Sequence, residues 1–150
     1  MFADLSLAVL HHLLVFPLFA VFVAEAAIIR AGMNGAALDR LGRLDMMYGI
    51  LSLLVIAVGA ARVVFGLRGW DYYAGNHAFW GKMTAFAIVG IVSLWPSRAF
   101  VGWRKAAAAD PSYSVPQAEI ARVRRFIHIE ALFFALIVMF AAMMARGVGA

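Results

Sequence analysis

Residues 5–29 read LSLAVLHHLLVFPLFAVFVAEAAII, with His11, His12 and Glu25 as the ionisable side chains. At about 1.5 Å of rise per residue this run is long enough to cross a hydrocarbon core of about 30 Å, so it reads as a transmembrane helix. Ala24-Glu25-Ala26 has the look of a signal-peptidase site. The run nevertheless lacks a basic leader, carries two histidines and exceeds the roughly 7–15 apolar residues of a signal core, so it is read as a retained span.

Working outward, three further segments have the same character: Met46 to Leu67, Gly81 to Val101 and Phe126 to Ala145. Of the 150 residues 65% are hydrophobic, against roughly half in a soluble domain. The expectation is an all-α protein, a single four-helix transmembrane bundle over residues 1–150 with helices near 5–29, 46–67, 81–101 and 115–145. Four spans leave no length for a separate soluble module. The formal charge of +5 does not point to nucleic acid, because the basic residues gather at the ends of apolar segments. With no cysteine, disulfides, iron–sulfur clusters and thiolate metal sites are excluded.

The links carry the topology. Arg30 to Asp45 contains an Asn34-Gly35 turn with Arg40 and Arg43; Arg68 to Trp80 contains Trp70, Tyr72, Tyr73 and Trp80, side chains suited to the headgroup layer; Arg104 to Arg125 is the most polar. Ser114-Val115-Pro116-Gln117 fits a capping box that would start the last helix in water before it enters lipid. Lys and Arg concentrate in the first and third links, which places those links in the cytoplasm and both termini in the periplasm of a bacterial inner membrane.

A charge at the bilayer centre costs about 2.5–3.5 kcal/mol on insertion scales, so embedded ionisable groups are the functional leads. Depth sorts them into two sets. His11, His12, Arg62 and Lys82 fall toward the outer side, with Asp71, Tyr72 and His77 in the adjoining link; Glu25, Glu130 and His128 fall toward the inner side, with Asp45 and Arg98 near that level. Helical phase puts His11, Val15, Leu18, Phe22 and Glu25 on one stripe and rotates His12 by about 100° from it. Tyr48, Ser52, Val55, Gly59 and Arg62 form a stripe of polar and small residues suited to a helix contact, and Lys82, Val89, Ser93 and Pro96 lie roughly together. Arg98 is on the other side of its helix from Lys82 and suits snorkelling.

One imidazole from the first helix, His11 or His12, can serve as an axial ligand of a haem b or related tetrapyrrole held between helices. His77, Met83 or neutral Lys82 are within reach as a second ligand. Arg62, Lys82, Tyr72 and Tyr73 suit the porphyrin carboxylates. His128 lies too far in depth to ligate the same iron as His11. The plainer reading is a histidine that hydrogen-bonds a neighbouring helix, a Glu25 paired with an arginine, and aromatic and basic links that only anchor and orient the chain. Zinc hydrolysis lacks an H-E-x-x-H, and His128-Ile129-Glu130 points its two side chains to nearly opposite faces.

Leu10-His11-His12-Leu13, Glu25, Arg43-Leu44-Asp45, Tyr48-Gly49, Gly59, Arg62, Trp70-Asp71-Tyr72-Tyr73, Phe79-Trp80-Gly81-Lys82, Ser93, Pro96, Glu130 and Met144-Ala145-Arg146-Gly147 span nearly the whole chain. In these the chain resembles the bacterial predicted membrane proteins grouped as domain of unknown function 2214. That resemblance implies four transmembrane helices and no established activity. More distantly the layout is similar to the HemJ-type protoporphyrinogen oxidases, which implies haem b, a histidine in the first helix and a lysine opening a later one. The matching positions are His11 or His12 and Lys82, although Phe79-Trp80-Gly81 lacks the histidine those oxidases carry just before the lysine.

The leading expectation is therefore a tetrapyrrole-binding redox or electron-transfer protein with the bilayer, a redox partner and a second copy of the chain as candidate partners. The alternatives are a proton- or ion-coupled carrier using Glu25, Glu130, Arg62 and the histidines, and an accessory subunit of a membrane complex. The orientation is open to a direct check. Because the chain has no cysteine, Gly75→Cys should react with an impermeant maleimide in intact cells, and Ser112→Cys only after permeabilisation.

Overall fold

The computed structural model describes residues 2–149. It consists of α1 (Phe2–Ile28), α2 (Gly35–Phe65), a short α3 (Gly69–Ala74), α4 (His77–Ala109) and α5 (Gln117–Ala145), with no strand among the described residues. The four long helices are each apolar enough to cross a membrane. This is a multi-pass membrane protein whose long helices run alternately up and down. One end of the bundle, here the terminal end, carries both chain ends and α3; the other, the basic end, carries the α1–α2 and α4–α5 links.

The helices pack as two hairpins, α1 on α2 and α4 on α5, joined through α2 and α4. Between α1 and α5 the gap is filled by aromatic rings: Phe22 and Phe134 lie 4.9 Å apart between centroids, and Phe19 and Tyr48 close around Phe134. The outward faces reverse the pattern of a soluble protein. Phe16, Leu53, Leu132 and Val138 are exposed, as an apolar solvent permits.

Two helices are longer than their apolar segments. α2 begins at Gly35 instead of near 46 and α4 runs from His77 to Ala109 instead of 81 to 101. At 33 residues, α4 is about 50 Å long, some 20 Å more than a hydrocarbon core. The additional turns extend the hydrophobic core to the basic end, where Ile29, Met33, Leu38, Leu41, Trp103, Val115 and Ile120 are almost wholly buried. Hydropathy marks where lipid begins, not where a helix does, which is why the sequence placed these boundaries short.

The basic end is also held by polar contacts. Arg104 pairs with Asp39 at 3.3 Å, the one ion pair among the described residues. Gly42 makes room for it, since a Cβ there would come within 2.7 Å of the Arg104 side chain. Arg124 donates to the Ile29 carbonyl at 2.8 Å, and the Trp103 indole donates to Glu119. The expected capping box is not formed. Ser114 is exposed, the N-cap of α5 is Pro116, and no side chain caps it. The Val115 amide instead donates to Met33 across the two links at 3.1 Å, so the segment serves as a strap between links. In the same link the Ser112 hydroxyl and amide hold the Asp110 carboxyl below its ordinary range.

At Gly81 α4 packs tightly on α5, since a Cβ there would meet the Phe140 ring at 2.7 Å, whereas one at Gly90 would meet nothing within 4 Å. Gly81→Leu should therefore destabilise the bundle by about 1–3 kcal/mol through overpacking, and Gly90→Leu should not, as read by thermal unfolding in detergent.

Candidate functional site

At the terminal end, α1, α2 and α4 bring His11, Arg62 and Lys82 together. All three are half-buried, and Arg62 and Lys82 lie within electrostatic reach of the imidazole. His11 packs against α2 where Gly59 leaves room, for a Cβ at that glycine would stand 3.4 Å from His11 Cε1. Neither cation has an acidic partner within ion-pair distance among the described residues. The His11 Nδ1 and Arg62 Nε atoms are buried without a hydrogen-bond partner. A buried polar atom left unpaired costs about 1–3 kcal/mol, and these two nitrogens are unsatisfied among the described residues.

The cluster lines apolar space. His11 and Lys82 border a cavity of about 230 Å³ with Val15, Phe16, Met83 and Phe86. Lys82, Met83 and Phe86 also border a neighbouring cleft of about 360 Å³ that continues past Gly59 to Trp70 and Phe79. Cofactor pockets of roughly 300–1,000 Å³ are typically apolar with a few placed polar groups, and these two spaces share that character.

Other candidates from the sequence are placed elsewhere. His12 is turned to the outer face, where its Nδ1 donates to the Ala8 carbonyl at 2.7 Å. His77 opens α4 in an exposed position, its backbone amide donating to the Gly149 carbonyl at 2.7 Å. The Tyr72 hydroxyl is engaged by Arg68 and donates to the Met144 carbonyl at 3.2 Å, which ties α3 to the end of α5. Tyr73 is buried beneath it against Phe79, while Trp70 and Trp80 meet edge to face on the exterior. His128 is exposed, and Arg98 likewise faces out.

Toward the basic end a second cluster draws on all four long helices. Glu25 from α1, Asp45 and Tyr48 from α2, Ser93 and Ser97 from α4 and Glu130 from α5 line one small cavity. The Tyr48 hydroxyl donates to Glu130 at 3.4 Å and the Ser97 hydroxyl to Asp45 at 2.5 Å. Glu25 has no arginine partner, contrary to the plainer expectation, and its Oε1 is buried without any partner. Helical phase points to Glu25, Tyr48 and Ser93 and depth to Asp45 and Glu130, whereas neither singles out Ser97, although it stands one turn from Ser93.

The sequence also gave no role to Asn76, which has no exposed surface. Its side chain accepts from the Phe79 amide at 3.1 Å and so caps the turn of α4 that leads to Lys82. An asparagine just before an apolar helix is a recognisable N-cap signal.

A family model described as "Predicted membrane protein (DUF2214)" matches residues 3–149, and the chain belongs to that family. No curated protein and no solved structure matches the chain. Because Asn76 fixes the start of α4, Asn76→Ala should lower stability by about 0.5–2 kcal/mol, measurable as a fall in the thermal midpoint with the helical circular dichroism retained below it.

Proposed function

We propose that this membrane protein binds haem b or a related tetrapyrrole at the terminal end of the bundle, in a redox or electron-transfer role. The observation that carries the reading is the cluster of His11, Arg62 and Lys82 beside apolar space, with two buried nitrogen atoms unpartnered and no acidic partner within ion-pair distance among the described residues. A flat apolar molecule with two carboxylates and an affinity for imidazole is complementary to such a set.

In this reading His11 is the ligand side chain, and Gly59 keeps the α2 surface low so that the imidazole has room at the helix contact. Arg62 and Lys82 hold the carboxylates, since their charges are otherwise uncompensated in a medium where an unpaired charge is costly. Val15, Phe16 and Phe86 exclude water from the cavity. Met83 lines both spaces and would be the second ligand in this reading. His12 faces away from the cavity and His77 stays at the exposed end of α4. A haem held this way supplies one-electron chemistry at its iron, tuned by the axial ligand and by nearby charge.

A second reading, a proton- or ion-coupled carrier, is favoured by the buried carboxylates at the other level of the bundle.

The test is an absorption spectrum of the purified protein, oxidised and dithionite-reduced, after expression with ample haem. A Soret band is expected for the wild type and for His12→Ala and should be lost in His11→Ala. Arg62→Ala and Lys82→Ala should each weaken haem retention about tenfold or more, the equivalent of a charge-assisted hydrogen bond of about 1.5–3 kcal/mol. A folded, colourless wild type would sink the reading.

A further inference from the structure

The second cluster has no part in tetrapyrrole binding and calls for its own account. Glu25 and Glu130 are 6% and 3% exposed, in helices otherwise bounded by apolar side chains. With Asp45 they amount to three carboxylates around one cavity, and no lysine, arginine or histidine lines it. The nearest charged or titratable side chains along the same helices, Arg43, Arg98 and His128, are exposed and turned away. Arg124 is spent on the Ile29 carbonyl.

The polar hydrogens in the cluster are unevenly shared. Tyr48 serves Glu130 and Ser97 serves Asp45, whereas Glu25 Oε1 has no donor. Several carboxylates in one low-dielectric site need a compensating positive charge, carried by a cation or by protons. Among the described residues no three carboxylate or imidazole groups converge as ligands of a single metal ion. The cavity itself, at about 10 Å³, has room for about one water molecule, and Asp45, Tyr48, Ser93 and Ser97 also border an adjoining, mostly apolar cleft of about 360 Å³. With no converging set of metal ligands among the described residues and one carboxyl oxygen left without a donor, the proton is the charge carrier this cluster suits.

We propose that Glu25, Asp45 and Glu130, supported by Tyr48 and Ser97, form a buried proton-binding site that exchanges with water at the basic end. A proton arriving as hydronium is transferred to Glu25 Oε1, leaving a neutral water in the cavity, and release is the reverse. Glu25 stands three residues before the end of α1 at Ile28, about 5 Å of rise, so the basic end is the nearer water. The inference does not depend on the tetrapyrrole reading, though it gives the carrier alternative a definite site.

The test is infrared difference spectroscopy of the detergent-purified full-length protein, titrated in pH without added haem. Above about pH 5.5, where exposed carboxylates of ordinary pKa about 4 are ionised, the wild type should still show a carbonyl band of protonated carboxylic acid that changes reversibly with pH. Glu25→Gln should reduce it by about one third, with the remainder shifted because the sites are coupled. Asp45→Asn and Glu130→Gln should act similarly, while Asp39→Asn, at the exposed ion pair, should leave it unchanged. The wild-type titration stands even where a variant fails to fold. A spectrum with no pH-dependent carboxyl band, or a band that survives all three cluster variants, would overturn the proposal. So would a band that responds to sodium against choline but not to pH, which would make this a sodium site. The tetrapyrrole reading fails on the visible spectrum and this one on the infrared, so the two are separable.

Discussion

Lipid as solvent is the constraint from which the rest of this structure follows. The bilayer core offers no partner for a free amide or carbonyl, so a spanning chain must satisfy its backbone internally, and with no strand among the described residues it does so as helices. The same solvent makes every embedded polar side chain expensive unless another protein group faces it. The result is a bundle whose exterior is apolar and whose interior collects the histidine, carboxylates and cations. Pro17 and Pro96 are accommodated inside α1 and α4, as membrane helices allow when neighbours satisfy the freed carbonyls.

Because lipid supplies no hydrophobic drive between helices, packing falls to small residues, aromatic fillers and polar contacts. Gly81 lets α4 approach α5, Gly59 leaves room for the His11 ring, and Phe22 with Phe134 fills the seam between α1 and α5. Outside the span the overhanging turns of α2, α4 and α5 bury Ile29, Leu38, Leu41 and Ile120 in an extension of the same core. One continuous core therefore runs from the aromatic seam of Phe22 and Phe134 to the basic end, with the carboxylate cluster between them.

The two polar clusters differ in charge and in the chemistry they invite. The terminal cluster is cationic with an imidazole and opens on apolar space, a combination suited to an anionic amphipathic molecule. The basic-end cluster is acidic and furnished with hydroxyls. His11 and Glu25 share one stripe of α1, fourteen residues apart, about 21 Å along the helix. A redox centre at one level and a proton site at the other would place both ends of a proton-linked electron transfer along a single helix face.

Much of this was legible in the sequence. Four apolar runs set the fold class, because length and hydropathy report directly on the thickness of the bilayer. The phase of α1 put His11 and Glu25 on one stripe and His12 off it, since a regular helix fixes side-chain direction by arithmetic alone. What the sequence could not give is which inward groups meet. Ser97 and Asp45 are 52 residues apart and Tyr48 and Glu130 are 82 apart. Their pairing depends on which helix stands beside which and on how far each is displaced along its axis. Side-chain packing between helices decides that, with no local periodicity to announce it. The same holds for the overhanging turns, where burial against Trp103 and Val115, not membrane hydropathy, carried the helices past the lipid boundary.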